Sequence, residues 1–277
     1  MSFDVPPGSV FGVLGPNGSG KTTLLGIVSD VLKAGSGSYS WFGEPPSEKQ
    51  RQQIGTLLET PNFYHYLNAV QNLTIAATIK QRGKADIDRV LELVNLEQRK
   101  FSKFSTYSLG MKQRLAIASS LLGDPDVLIF DEPTNGLDPV GIVETRELIK
   151  KLYKAGKTII MASHLLDEVE KVCTHVAILQ TGTLLTHGHV DEILITDEIV
   201  ETSAPDMQQL QSILQHYPGA KKVVVNDLYV ELTFSPGAAS LDALNRFCFE
   251  QGVTLQHLRL RKKSLETKFF ELTQKNK

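Results

Sequence analysis

Residues Gly15-Pro16-Asn17-Gly18-Ser19-Gly20-Lys21-Thr22 constrain this 277-residue chain more than any other stretch. They match the phosphate-binding pattern G-x-x-x-x-G-K-[ST] at every fixed position. Such a loop wraps a phosphate chain with backbone N–H groups, so Cβ atoms must be absent where the main chain comes closest. Gly15, Gly18 and Gly20 supply that freedom. Lys21 adds a point charge for the β- and γ-phosphates, and the Thr22 hydroxyl suits Mg²⁺. Thr23 is a further candidate contact in the same turn. Ser9 to Leu14 reads as a buried strand before the loop, and Thr22 to Val28 as the helix behind it. The loop thus opens a helix, where orphan N–H groups and the helix dipole favour an anion. The implied ligand is a nucleoside triphosphate.

Bulk properties narrow the setting. Hydrophobic residues make up 41% of the chain, enough for a sizeable core in one large domain or two smaller ones. A net charge of −2 and a pI near 6.4 give no electrostatic reason to expect nucleic acid. Cys173 and Cys248 lie far apart with no nearby Cys partner, so reduced thiols in a cytosolic protein are expected rather than a disulfide or a zinc site. No apolar run is long enough to span a bilayer, and the N-terminus lacks a signal-peptide pattern. The chain is expected to be soluble.

Three more segments carry chemistry. Val127-Leu128-Ile129-Phe130 reads as a central strand ending in Asp131-Glu132. Asp131 is placed to bind Mg²⁺ directly or through water, and Glu132 to accept a proton from an attacking water. An acidic pair after a strand is otherwise a solvated turn, and the phosphate loop upstream tilts the choice toward chemistry. Ser108-Leu109-Gly110-Met111 leads into the helical run Leu115 to Leu122, with Ser108 as a plausible N-cap and a second helix N-terminus for phosphate. Ser163-His164 follows the strand Thr158 to Met161, and His164 by itself also reads as an N-cap-region histidine before the helix Leu165 to Val169.

In order, these motifs and Gly136-Leu137-Asp138 resemble an ABC-type ATPase, the ATP-binding subunit of an ABC transporter, over residues 1 to about 195. The resemblance implies a P-loop NTPase α/β fold of ABC type, a RecA-like core plus a helical subdomain at about residues 60–122, with ATP and Mg²⁺ as cofactors. It implies a head-to-tail homodimer or heterodimer in which Ser108 and Gly110 act on the partner's γ-phosphate. Asp138 then couples the two sites, and His164 contacts the γ-phosphate as a switch. It further implies an integral membrane permease as partner, no nucleic acid, and a place on the cytoplasmic face of the inner membrane. Soluble ABC ATPases of translation or DNA repair resemble tandem cassettes or cassettes split by coiled coils. This chain shows one cassette and no heptad insertion. A nucleotide-binding regulator with little hydrolysis is the other alternative.

The sequence departs from the family in places. Leu109 and Met111 stand where the commonest signature has Gly and Gln, a variant resembling bacterial drug- and bacitracin-export subunits. Glu59 stands where a glutamine is usual, and remains a candidate contact for Mg²⁺ or a water. Asn62 to Leu67 offers aromatics either for the permease's coupling helices or for a local aromatic cluster. Few residues precede Gly15, and Ser2-Phe3-Asp4-Val5 resembles the family's second strand. The first strand and adenine-stacking aromatic are therefore expected to be missing, with a late-placed start codon or weakened nucleotide affinity as the consequence. Thr181-Gly182 reads as a hairpin turn.

Residues 198–277 read as an accessory domain after an ATPase domain at 1–197. Strands at Ile199–Thr202, Lys222–Val225, Leu228–Phe234 and Thr254–Leu258 alternate with helices at Asp206–Leu214 and Leu241–Phe249. That βαββαβ order predicts a small α+β ferredoxin-like domain, closed by a helix at Leu265–Leu272. Arg259, Arg261, Lys262 and Lys263 form a basic cluster that reads as a solvated face rather than a lipid patch.

Overall fold

A computed structural model describes residues 1–58, 62–194, 198–261 and 265–274. The chain divides into two compact units, Met1–Val190 and Asp191–Lys277.

The first unit runs β1 (Val10–Leu14), α1 (Lys21–Val28), the single turn α2 (Glu48–Arg51), β2 (Ile54–Leu57), α3 (Ala69–Lys80), α4 (Ile87–Leu93) and α5 (Leu109–Ser120). It continues with β3 (Val127–Asp131), α6 (Pro139–Lys154), β4 (Thr158–Ser163), α7 (Leu166–Val172), β5 (His175–Gln180) and β6 (Thr183–His189). The strands form one sheet in the order β2-β3-β4-β1-β5-β6. Neighbours are parallel except for the closing β5–β6 hairpin. Every residue of β1 and β3 is buried. Their unbroken apolar runs follow from that, since a parallel strand covered on both faces has no polar side to show.

Register decides what the sheet presents. Leu14 pairs with Ser163 and Asp131 with Ala162, so β1, β3 and β4 end along one edge. The loops beginning at Gly15, Glu132 and His164 therefore emerge side by side. The hairpin turn forms at Thr181 and Gly182, both with positive φ. To one side α3, α4 and α5 pack on one another. The Asn68 side chain starts α3 through a capping box with Gln71.

Ser2 to Val5 does not form a strand. Pro6 and Pro7 lack the N–H groups that would extend a ladder, and side-chain packing holds the segment instead. The Phe3 ring stacks on Phe11 at 5.3 Å, and Phe3 and Val5 pack against the core of Phe11, Val13, Ile129 and Ile160.

The α8 helix (Val190–Leu194) begins where the first unit ends. The second unit then comprises β7 (Glu198–Ser203), α9 (Met207–Leu214), β8 (Lys222–Val225), β9 (Val230–Phe234), α10 (Leu241–Glu250), β10 (His257–Arg261) and α11 (Leu265–Gln274). The sheet order is β10-β7-β9-β8, with every pair antiparallel, as a ferredoxin-like βαββαβ unit requires. Val200, Leu210, Leu232, Leu244 and Cys248 fill its core. Several strand boundaries differ from the sequence reading: β7 is longer by one residue at each end, and the last strand runs on to Arg261. Leu228 and Tyr229 belong to the turn, where the Asn226 N–H donates to the Tyr229 carbonyl (2.9 Å), so β9 begins at Val230. The last strand starts at His257 rather than Thr254, because the chain reaches the β7 ladder only when the Gln256 N–H meets the Ser203 carbonyl (2.8 Å).

Candidate functional site

The loop after β1 is built around positions that exclude side chains. A Cβ on Gly15 would lie 2.2 Å from Ser19 Oγ and 2.5 Å from the Leu179 carbonyl. Gly20, which begins α1, has φ 100°, and Gly18 has φ 79° with open space beside it. The β5–β6 turn props the loop from behind, the Gly182 N–H donating to the Ser19 carbonyl (3.0 Å). Lys21 is buried, and its Nζ donates to the carbonyls of Gly15 (2.9 Å) and Pro16 (3.3 Å). Pro16, Asn17 and Gly18 face solvent, as do Thr22 and Thr23 at the start of α1.

The neighbouring strand end supplies the acids. Glu132 sits in the left-handed region (φ 49°), a strained place for a non-glycine residue, with its N–H held by the Ala162 carbonyl (3.0 Å). Its Oε1 is 3.8 Å from Lys21 Nζ, and its Oε2 is 2.8 Å from His164 Nδ1. Asp131 is buried, and its Oδ1 has no hydrogen-bond partner; nor has the buried Ser19 Oγ. Orphaned acceptors of this kind are costly unless something fills the space beside them. The structure thus brings Lys21, Glu132 and His164 into contact at the sheet edge where Asp131 and the phosphate loop also lie.

Asp138, Ser108 and Gly110 stand apart from that contact. Asp138 caps α6, its Oδ1 accepting from the Gly141 N–H (3.0 Å) ahead of Pro139 at the first helical position. Ser108 caps α5 by accepting from the Met111 N–H (3.3 Å), and a Cβ on Gly110 would meet nothing within 4 Å. Among the described residues no hydrogen bond joins Ser108 or Gly110 to the phosphate loop. Glu59, Lys262 and Lys263 lie outside the described residues. Arg261 pairs with Glu201 (2.8 Å) and Glu231 (3.5 Å) on the sheet of the second unit.

Beside α1 lies a cleft of about 800 Å³, lined by Thr22, Leu58, Phe63, Tyr64, Ile75 and Ile79 among others, with no charged residue among the described residues of its wall. The 62–67 segment divides between its two readings. Phe63 and His65 pack edge-on against Phe104 (5.3 and 5.5 Å), whereas Tyr64 and Tyr66 stay exposed. Periodicity alone gave no sign of this cleft, because Val31, Leu32, Ile75 and Ile79 meet only once α1 and α3 stand beside the sheet.

Comparison with known proteins agrees with this geometry. The family model described as ABC transporter matches residues 1–135. An uncharacterized ABC transporter ATP-binding protein of Bacillus subtilis, YhcH, is 38% identical over 100% of this chain and 91% of its own length. The bacitracin transport ATP-binding protein BcrA of Bacillus licheniformis is 36% identical over 98% of this chain and 90% of its own. The chain belongs to the ABC transporter ATP-binding family. It is an ATPase subunit of a transporter. Among solved structures, an ATP-binding subunit of an ABC transporter superposes with a TM-score of 0.61 at 30% identity, covering 69% of this chain and 82% of that one. CbiO1 of Clostridium perfringens, part of the cbiONQ transporter complex, reaches 0.64 at 28% identity over 79% and 88%. No helix among the described residues is long and apolar enough to cross a membrane.

Proposed function

We propose that this ABC ATPase subunit binds Mg-ATP on the Gly15–Thr23 loop and hydrolyses it with Glu132 as general base. The observation that carries the proposal is Glu132 held between Lys21 and His164 beside the orphaned Asp131 Oδ1. Gly18 and Gly20 leave the loop open to a phosphate chain, and Lys21 supplies its positive charge. Asp131 and the exposed Thr22 hydroxyl fit Mg²⁺, and Glu59 is a third candidate. The ion, when bound, would offset charge on the β- and γ-phosphates. Glu132 takes the proton from water, and its left-handed backbone fixes where the carboxylate points. His164 orients that carboxylate and contacts the γ-phosphate.

Two copies dimerise head to tail, Ser108 and Gly110 of one facing the phosphates held by the other, with Asp138 between the sites. The cleft along α3, largely apolar among its described residues, receives an apolar segment of an integral membrane permease, with the chain at the cytoplasmic face of the membrane. Relatives named for bacitracin transport, together with the signature Leu109 and Met111, support export as the direction. Residues 198–277 form an accessory domain that follows an ATPase domain at 1–197 in the chain.

Glu132→Gln tests the base. Its amide cannot accept the proton, so hydrolysis should fall by a factor on the order of 10³ while Mg-ATP still binds and traps a dimer on size-exclusion chromatography. Steady-state turnover near the wild-type rate would remove Glu132 from this role. For the shared site, Ser108→Arg should abolish turnover yet leave monomer binding of ATP intact. Loss of monomer binding as deep as that of Lys21→Ala would refute the head-to-tail arrangement.

A further inference from the structure

The loop bearing Asp138 opens α6, and the loop bearing His164 opens α7. These two helices are tied by an ion pair that no motif announces. Arg146 Nη1 lies 3.3 and 3.1 Å from the two carboxylate oxygens of Glu168, and both side chains are largely shielded from solvent, at 17% and 15% exposure. Lys171 also reaches Glu168 (3.0 Å), while Glu147 lies 3.6 Å from Arg146 Nε and 3.2 Å from Lys150. The pair is therefore the centre of a charge network rather than an isolated surface contact.

We infer that Arg146 is a positioning residue, which through Glu168 sets where His164 stands over Glu132. The inference rests on the hydrolytic role proposed for His164. The α7 helix is short, and its N-cap, Leu165, offers no capping side chain. The Leu165 N–H donates to the buried Ser163 Oγ (3.0 Å) across His164, and two contacts then fix the helix body. Val169, fully buried, sits over Gly12 of β1, where a Cβ would come within 2.9 Å of Val169 Cγ1. Glu168, one residue earlier, holds α7 to α6. His164 is four residues before Glu168 and is 40% exposed, and its ring meets Glu132 at 2.8 Å. A helix this short cannot keep the preceding loop in place if it rolls on β1, and Arg146 is what stops the roll. The same arginine lies just over two turns along α6 from Asp138, so a shift of the Asp138 loop reaches His164 through one ion pair. A two-state element that both loops bias is the physical requirement for such coupling.

A double-mutant cycle with His164→Ala tests this, using steady-state ATPase rates, Mg-ATP affinity by calorimetry and thermal unfolding of the whole chain. Arg146→Gln should lower kcat about tenfold while Mg-ATP affinity stays within about twofold. In the His164→Ala background the same substitution should cost less than about twofold, because the residue it positions is gone. Glu168→Gln should reproduce the pattern, and it carries the cycle if Arg146→Gln does not fold. Equal losses of kcat in both backgrounds would show that the ion pair only supports the fold, and would overturn the inference. No loss in either background would overturn it as well. Wild-type turnover by His164→Ala alone would instead refute the role of His164, a failure of the proposed function that this cycle separates from the first.

Discussion

The two units obey local rules to different degrees. Every non-glycine residue with positive φ among those described, Asp30, Phe42, Gln81, Asn95, Asp124, Glu132 and Thr181, belongs to the first unit. Along the strand ends there, Ser19 Oγ, Asp131 Oδ1 and Thr134 Oγ1 are buried without partners. In the second unit helices begin at Asp206 and Ser240 with bonded caps, and β9 alternates strictly between buried and half-buried residues. Its unpartnered buried polar atoms among those described are Thr202 Oγ1 and His257 Nε2. Consistent local structure marks a part whose task is to fold. Strain and unmet polar groups are more widespread in the first unit, and at the edge where phosphate and water would meet the left-handed Glu132 stands beside the orphaned Asp131 Oδ1 and Ser19 Oγ.

The strongest test removes one buried side chain from each unit. Lys21→Ala should weaken Mg-ATP by about 3 kcal/mol, on the order of 100-fold, since a buried charged partner of the phosphates is lost. Leu232→Ala, at a fully buried core position of the second unit, should lower its stability by about 3 kcal/mol and leave Mg-ATP affinity unchanged. Calorimetric titration and denaturant unfolding of both variants decide this. A Leu232→Ala chain that binds ATP as poorly as Lys21→Ala would erase the distinction between the units.

The same contrast explains what was legible in sequence. The phosphate loop, the strand ending at Asp131 and the cap at Ser108 are local patterns, in which each residue type answers to its own backbone conformation. The βαββαβ order was legible for the same reason, since alternation and turn residues report on short segments. What escaped was long-range. Arg146 and Glu168 meet across 22 residues and carry no periodic signal. The left-handed Glu132 could not be read either, because a glutamate after a strand predicts no positive φ; the Ala162 carbonyl and the Lys21 and His164 side chains hold it there. The segment at Ser2–Val5 failed differently, as a strand-like pattern with two prolines behind it and no ladder to join.

A subtler pair of substitutions asks whether the orphaned polar atoms differ in purpose. Asp131→Asn removes a buried charge and should raise stability by about 1 kcal/mol while abolishing Mg-dependent hydrolysis. Thr202→Val removes a buried hydroxyl without a hydrogen-bond partner and should also gain about 1 kcal/mol, with ATPase activity untouched. Thermal unfolding and rate measurements on the two variants sharpen the comparison, which breaks if Asp131→Asn keeps full activity.

The smallest expected effect is a pH dependence in the first unit. Lys80, at the end of α3, donates to the Ser119 carbonyl at the end of α5 (2.6 Å). Burial first, and the neighbouring Arg82 second, push its ammonium down from 10.5 to about 8. Below about 8 the folded and unfolded chains both carry the charge, and the folded chain bears the cost of holding it out of water. Between about 8 and 10.5 the unfolded chain keeps a proton that the folded chain has released, so stability from this group rises with pH through that window. Lys80→Met has no such titration. The stability difference between the wild type and Lys80→Met should therefore shift toward the wild type as the pH rises from about 7.5 to about 9.5, measured by denaturant unfolding. A difference that stays constant, or moves toward the methionine variant, would mean that Lys80 remains charged at the joint between α3 and α5, and the first unit would hold one strained group fewer.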